Sequence, residues 1–233
     1  MIARRGAQRG VVAMAFALAA IATRATPAPA EPRIPPGAAW LHYQASYVQR
    51  IDRAQPARAG VGVAMAGVEL DALLGRRIAY LVGVDLHAGA TVPVGFAYQV
   101  DLRPLGVAVR LGATGALGVS VGVGATGAVG TLDDGVELPA LALLEVPLGA
   151  RLRLVGRARA VWLAAAPRRA GGAPSAAWAD ELDAWVAVRL GRRYRDHGFP
   201  SGNGTLLGVA YREREGARML GVVLAYGVDL ATR

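Results

Sequence analysis

The chain has no cysteine and no lysine, few aromatic residues, and no apolar run long enough to cross a bilayer as a helix. Without cysteine there is no disulfide framework, no thiolate metal site and no residue to carry a lipoprotein's acyl anchor. Histidines at 42, 87 and 197 have no recognisable ligand spacing, so neither a metal nor another cofactor is expected. All 26 basic residues are arginine, and they do not cluster with aromatics, which argues against a nucleic-acid partner. The longest apolar stretch, Val11 to Ala22, has about a dozen residues where a spanning helix needs roughly 20, which argues against a helical membrane protein.

What is present at the start has the layout of a secretory signal peptide. Basic Arg4, Arg5 and Arg9 precede that apolar run, and the small-residue site Ala28-Pro29-Ala30 follows it, so cleavage is expected before Glu31. Removing residues 1–30 takes four arginines away, and the formal charge of +9 falls to +5, with 22 arginines against 17 acids. What remains is one domain's worth of chain, read as an N-terminal segment at 31–58 and a β domain at 59–233.

The strongest signal beyond the leader is alternation with a period of two, which puts successive side chains on opposite faces of a strand. Val92, Val94, Phe96, Tyr98 and Val100 share one phase, while Gly95, Ala97, Gln99 and Asp101 share the other. Ile78, Tyr80, Val82, Val84 and Leu86 alternate with Asp85 and His87 in the same way. After a break at Arg103-Pro104, Leu105, Val107, Val109 and Leu111 follow, and beyond Thr114-Gly115 come Leu117, Val119, Val121 and Val123. Noisier segments run from Val136 to Val146, Arg151 to Leu163, Leu182 to Leu190, Thr205 to Glu213 and Met219 to Leu230. An earlier one, Val61 to Asp71, changes phase near Gly67, as a bulge would.

That makes ten strands, with eight and twelve as the bounds, because Leu41 to Arg53 is open to reading as a strand, a periplasmic segment or an interior helix. Leu73 to Arg76, Arg103-Pro104, Thr114-Gly115 and Glu213 to Ala217 have hairpin-turn composition, and Ala164 to Ala177 and Gly191 to Gly204 have that of long loops.

One phase of the central strands is Val, Leu, Ile and aromatic throughout, and the other is Gly and Ala with occasional charge. A soluble barrel would show abundant charge on its outer phase. The pattern instead predicts a closed antiparallel transmembrane barrel, in which Val92, Val94, Phe96, Tyr98 and Val100 face lipid and every backbone amide is paired inside the protein. With its leader, its alternating strands and a last strand running Leu224, Ala225, Tyr226, Gly227, Val228, Asp229, Leu230, the chain resembles the small outer-membrane β-barrel proteins of Gram-negative bacteria. The resemblance implies residence in the outer membrane, contact with its lipid, and insertion by its assembly machinery. Aromatics for an interfacial girdle are limited to Tyr80, Phe96, Tyr98, Trp162, Tyr211 and Tyr226.

Arg151, Arg153, Arg157 and Arg159 share one face by their even spacing and predict a basic stripe along the lumen. Asp85, Asp101, Glu137, Glu145 and Asp183 lie in the inward phase of their own strands and are their expected partners. Two roles follow: a structural barrel with a charge-filled lumen, or a narrow, anion-preferring pathway. The alternative is a secreted or periplasmic barrel that carries an apolar ligand inside. A lipid-modifying barrel enzyme would draw on His42, His87, His197, Ser46, Ser120, Ser175 and Ser201, and the segment Asp196-His197-Gly198-Phe199-Pro200-Ser201 gathers suitable types, but no nucleophile–base motif is present and no enzyme is expected.

Overall fold

The computed structural model describes residues 34, 36–52, 62–92, 95–112, 115–129, 132–149, 151–165, 181–196, 199–214 and 217–232. The leader, Val94 and the segment 166–180 lie outside them. Ten strands follow one another: β1 (Gly37–Arg50), β2 (Gly62–Leu74), β3 (Ile78–Val92), β4 (Gly95–Leu111), β5 (Gly115–Val129), β6 (Leu132–Pro147), β7 (Leu152–Ala165), β8 (Glu181–Asp196), β9 (Phe199–Arg214) and β10 (Ala217–Thr232). Each pairs antiparallel with its sequence neighbours, and β1 pairs with β10, so the sheet closes into a barrel without an edge.

The ladder followed once round from Gly37 passes Leu74, Tyr80, Val107, Val119, Ala142, Ala158, Ala184, Tyr211 and Leu220, and returns to β1 at Gln49, a stagger of twelve residues from 37 to 49. At strand spacings near 4.8 Å and a rise near 3.3 Å per residue, that stagger tilts ten strands by about 40° from the barrel axis. At this tilt a strand of 15 residues, such as β3, covers the depth of a hydrocarbon layer with a turn or more to spare.

The two ends of the barrel differ. Gly37 and Thr232 lie at one end, with the tight β2–β3, β4–β5, β6–β7 and β8–β9 connections. Gly75 and Gly112 sit in two of those turns at φ of 135° and 72°, the left-handed region that a side chain disfavours. The longer connections, after β1 and after β7, leave from the other end. We call these the turn end and the loop end.

Several sequence expectations change. The segment 31–58 supplies β1, a full stave of the barrel, and Arg103-Pro104 lies inside the 17-residue β4 instead of in a hairpin turn. The register shifts between Tyr80 and Gly83 on the β3 side and between Leu102 and Leu105 on the β5 side, so β4 carries one extra residue there. Proline has no N–H for the ladder, and a bulge is where a strand tolerates it. Gly67 makes no bulge, since β2 pairs in continuous register on both sides. Its apparent phase change arises because Val63 and Met65 point inward near the loop end, whereas Glu69 and Asp71 point inward deeper down. The loop expected at Gly191 to Gly204 is ladder, paired out to Asp196 opposite Phe199. Ten strands was the correct number because the strand missed at 37–50 and the strand divided at Pro104 offset each other.

Inside, a charged layer lies among apolar ones. Trp40, Leu73, Leu81, Ala108 and Leu143 cluster toward the turn end. Val155, Trp185 and Leu206 form a wall that continues to Val48, Val63, Met65 and Met219 toward the loop end.

Candidate functional site

The charged layer is the chemical feature of this barrel. Alternation brings Arg153, Arg157 and Arg159 of β7 inward and buries all three, together with Asp85, Asp101, Glu137 and Glu145. Asp183 also points inward and is held by Arg212 in a two-point contact, one arm at 2.7 Å. Arg151 is a correction: it precedes β7 and is exposed at the turn end, where its carbonyl accepts the Gly191 N–H at 3.0 Å, so the stripe begins at Arg153.

Arg103 bonds both oxygens of Asp85, one of them at 3.0 Å, and reaches Asp71 at 3.0 Å and Ser120 Oγ at 3.2 Å. Arg157 pairs with Asp71, lies 3.0 Å from Glu69, contacts His42 Nδ1 at 3.2 Å, and sits 5.8 Å over the Trp185 ring. Arg159 takes Asp101 in a fork at 2.5 and 2.9 Å and also bonds Glu137. Near the turn end, Arg153 bridges Glu145 at 3.2 Å and Asp229 at 2.7 Å, and Arg189 holds Asp229 at 2.6 Å and the Gly227 carbonyl at 2.9 Å. Bidentate guanidinium forks suit such a site, because each arm neutralises charge and satisfies an acceptor at once.

Among the described residues, six inward arginines (Arg103, Arg153, Arg157, Arg159, Arg189, Arg212) are within 4.0 Å of nine inward carboxylates (Glu69, Asp71, Asp85, Asp101, Glu137, Glu145, Glu181, Asp183, Asp229). Among these paired groups carboxylates outnumber arginines, so the stripe on β7 is not a free basic surface. Sequence reasoning missed Glu69 and Asp71 because the false bulge at Gly67 hid their parity, and Arg103 because it was read as a turn. Arg189, Arg212 and Asp229 were legible from alternation within their own segments.

The Gly and Ala of the inward phase have a specific use. Gly227 is the cross-strand partner of His42, and a Cβ on it would stand 2.8 Å from His42 Cδ2 and 3.1 Å from Arg189 Cζ. Gly83 faces Arg103 in the same way, with Asp71 Oδ1 2.6 Å from where its Cβ would be. Gly67 lies opposite His87, and Gly124 opposite Asp101. Large charged side chains fit because the residue beside each has none.

Toward the loop end the network borders a cavity of about 60 Å³, lined by Gln44, Ser46, Glu69, His87, Gln99 and Arg212 among others. That is room for a few water molecules. His42 and His87 face carboxylates, and Ser120 is held by Arg103. His197 and Ser175 lie outside the described residues, and Ser201 is in β9.

On the outer surface, Val92, Phe96 and Val100 are exposed, and Tyr98 is half-buried against Phe96, their ring centroids 6.3 Å apart. No protein-family model matches this chain, and a search of curated proteins finds no significant relative.

Proposed function

We propose that the chain is an outer-membrane β-barrel, exported through its leader, whose role is structural and whose lumen is filled by paired charges. The observation that carries this reading is an inverted distribution of polarity. Leu207, Leu190, Leu105 and Val209 are 65, 64, 61 and 60% exposed, whereas Arg103, Asp101, Asp71 and Glu137 are fully buried. A barrel in water gains by hiding the first set and wetting the second. Lipid as the surrounding solvent reverses both preferences and also requires edge-free closure, which this sheet has. An apolar ligand carried inside, as in a soluble barrel, would meet the charged layer and displace its ion pairs.

Partners on this reading are outer-membrane lipid and the assembly machinery, and no catalytic role is assigned to any histidine or serine. A narrow solute pathway is the second reading, favoured by the cavity near the loop end. The carboxylate excess works against a preference for anions along it.

The test is gel migration of the outer-membrane fraction with and without boiling. A closed membrane barrel keeps its fold in detergent until heated, so the expected result is a heat-dependent shift in that fraction. Recovery of the protein in the soluble fraction with no shift would overturn the proposal.

A further inference from the structure

Six buried groups form a connected line through the charged layer. At the turn end, Arg153 holds Asp229 and Glu145 side by side on the two arms of its guanidinium. Glu145 Oε1 faces His42 Nε2 at 3.6 Å, His42 Nδ1 faces Glu69 Oε2 at 4.0 Å, and Glu69 Oε1 faces His87 Nε2 at 3.8 Å, beside the cavity. The register places these residues at successively greater heights from the turn end to the loop end. Glu145 Oε1, His42 Nε2 and His87 Nε2 are buried and accept or donate no hydrogen bond, and Glu69 Oε2, ion-paired with Arg157 Nε at 3.0 Å, accepts none either. Unsatisfied buried atoms facing one another in sequence are costly in an inert filling and are what a proton relay requires.

We propose that the lumen conducts protons and excludes other ions, along a relay through Glu145, His42, Glu69 and His87. The proposal rests on the membrane reading above. In the resting arrangement Arg157 donates to His42 Nδ1, which leaves the ring proton on Nε2, pointing at Glu145. A proton arriving from the cavity by way of His87 makes Glu69 neutral. Arg157 shifts fully onto Asp71, its other partner, and Glu69 gives its proton to Nδ1 while Nε2–H passes to the Glu145 carboxylate. Glu69 ends ionised and His42 neutral with its proton on Nδ1, Glu145 hands its proton to Asp229, held beside it on Arg153, which releases it to water at the turn end, and a turn of the ring prepares the next cycle. Gaps of 3.6 to 4.0 Å exceed hydrogen-bond length, so each hop needs a small side-chain swing or one bridging water. His42 is also faced by Arg153 and Arg189, and its ring meets Trp185 edge-on at 6.4 Å. Hydrated salt ions are excluded because the same space is filled by the arginine–carboxylate pairs.

The experiment uses the full chain purified, folded into phosphatidylcholine–phosphatidylglycerol vesicles and confirmed as inserted by flotation and a heat-dependent gel shift. A potassium diffusion potential then drives proton entry, read by a trapped pH dye, with chloride flux read in parallel. The expected result is proton entry above that of protein-free vesicles with no added chloride flux, lost in both His42→Phe and Glu145→Gln when these variants insert and shift as the parent does. Should one variant fail to fold, Glu69→Gln takes its place. An inserted parent with no added proton entry, inserted variants that conduct as well as the parent, or chloride flux matching proton flux would each overturn the relay. Failure of the parent to insert would overturn the membrane reading and the relay with it, and flotation identifies that outcome separately.

Discussion

At the scale of single residues, the burial of each lumen charge sets how much its loss costs. Among the described residues Arg159 is the one arginine in an ion pair with Glu137, and it forks Asp101, both carboxylates being fully buried. Replacing it with Met strands two carboxylates in the interior, and breaking a buried pair in this way costs about 3–5 kcal/mol. Urea titration of the folded barrel in detergent micelles should show that loss, and Arg159→Lys should recover only part of it because a single ammonium cannot reproduce the fork. Gly83→Ala puts a methyl 2.6 Å from Asp71 Oδ1 and 3.0 Å from Arg103 Cζ without removing any charge. Overpacking of this kind costs about 1–3 kcal/mol, and the same titration should place Gly83→Ala below the parent. Asp52, beyond the end of β1, is a surface case. Its hydrogen bond from Arg50 at 2.6 Å, assisted by the Arg218 amide, holds its carboxyl below the ordinary value of 3.8. A carboxyl depressed in the folded state stabilises above its unfolded value and loses that effect as pH falls through the folded one. Protection of the Arg218 amide from hydrogen exchange should therefore be full above pH 3.8 and decline below it, and Asp52→Asn should remove that pH dependence.

At the scale of elements, β4 separates what alternation reveals from what it conceals. The outward phase of β4 is even-numbered through Phe96, Val100 and Leu102 and odd-numbered from Leu105 through Val109. A two-residue period that breaks at a proline fits a turn or a bulge equally well, because both remove one ladder bond and shift parity by one. Only the long-range pairing distinguishes them, and here β3 and β5 continue past the break on either side. The strand β1 was concealed for another reason. Its inward face carries Trp40, His42, Gln44 and Val48, and its outward face carries Tyr43, Ala45 and Tyr47, so both faces mix polar and apolar types and no period stands out. Where one face was uniformly Val and Leu, as in β5, both phase and strand were correct. The charged layer was half legible for the same reason: parity identified the inward acids, but not which arginine crosses the lumen to meet them. The bulge itself is testable. Pro104→Ala keeps the extra residue and should fold with a normal heat shift, whereas deletion of Pro104 forces one half of β4 to present the wrong face. Either Asp101 and Arg103 or Ala108 and Arg110 would then turn outward, and the expected outcome is loss of the heat-shifted band.

At the scale of the whole molecule, stability depends on which solvent surrounds the barrel. The outward residues form a continuous band, from Val121 and Leu138 on one side to Val209, Val222 and Leu224 on the other, all well exposed. Exposed apolar area on this scale is a liability in water and neutral or favourable in hydrocarbon. The charged lumen does not reverse that balance, because its charges face inward, paired with one another, and are indifferent to what lies outside the wall. Arginine at position 224 separates the two solvents. On a water-facing strand Leu224→Arg is a surface change worth within about 0.5 kcal/mol and improves solubility. Facing the middle of a bilayer, the same substitution costs about 2–4 kcal/mol, and the cost falls toward the interfaces. Arginine placed at Leu224, and separately at Leu230 nearer the turn end, should therefore lower stability in lipid vesicles in that order, the first more than the second. Equal and negligible effects at both positions would mean that no hydrocarbon layer surrounds this barrel, whereas a graded loss would map that layer along β10.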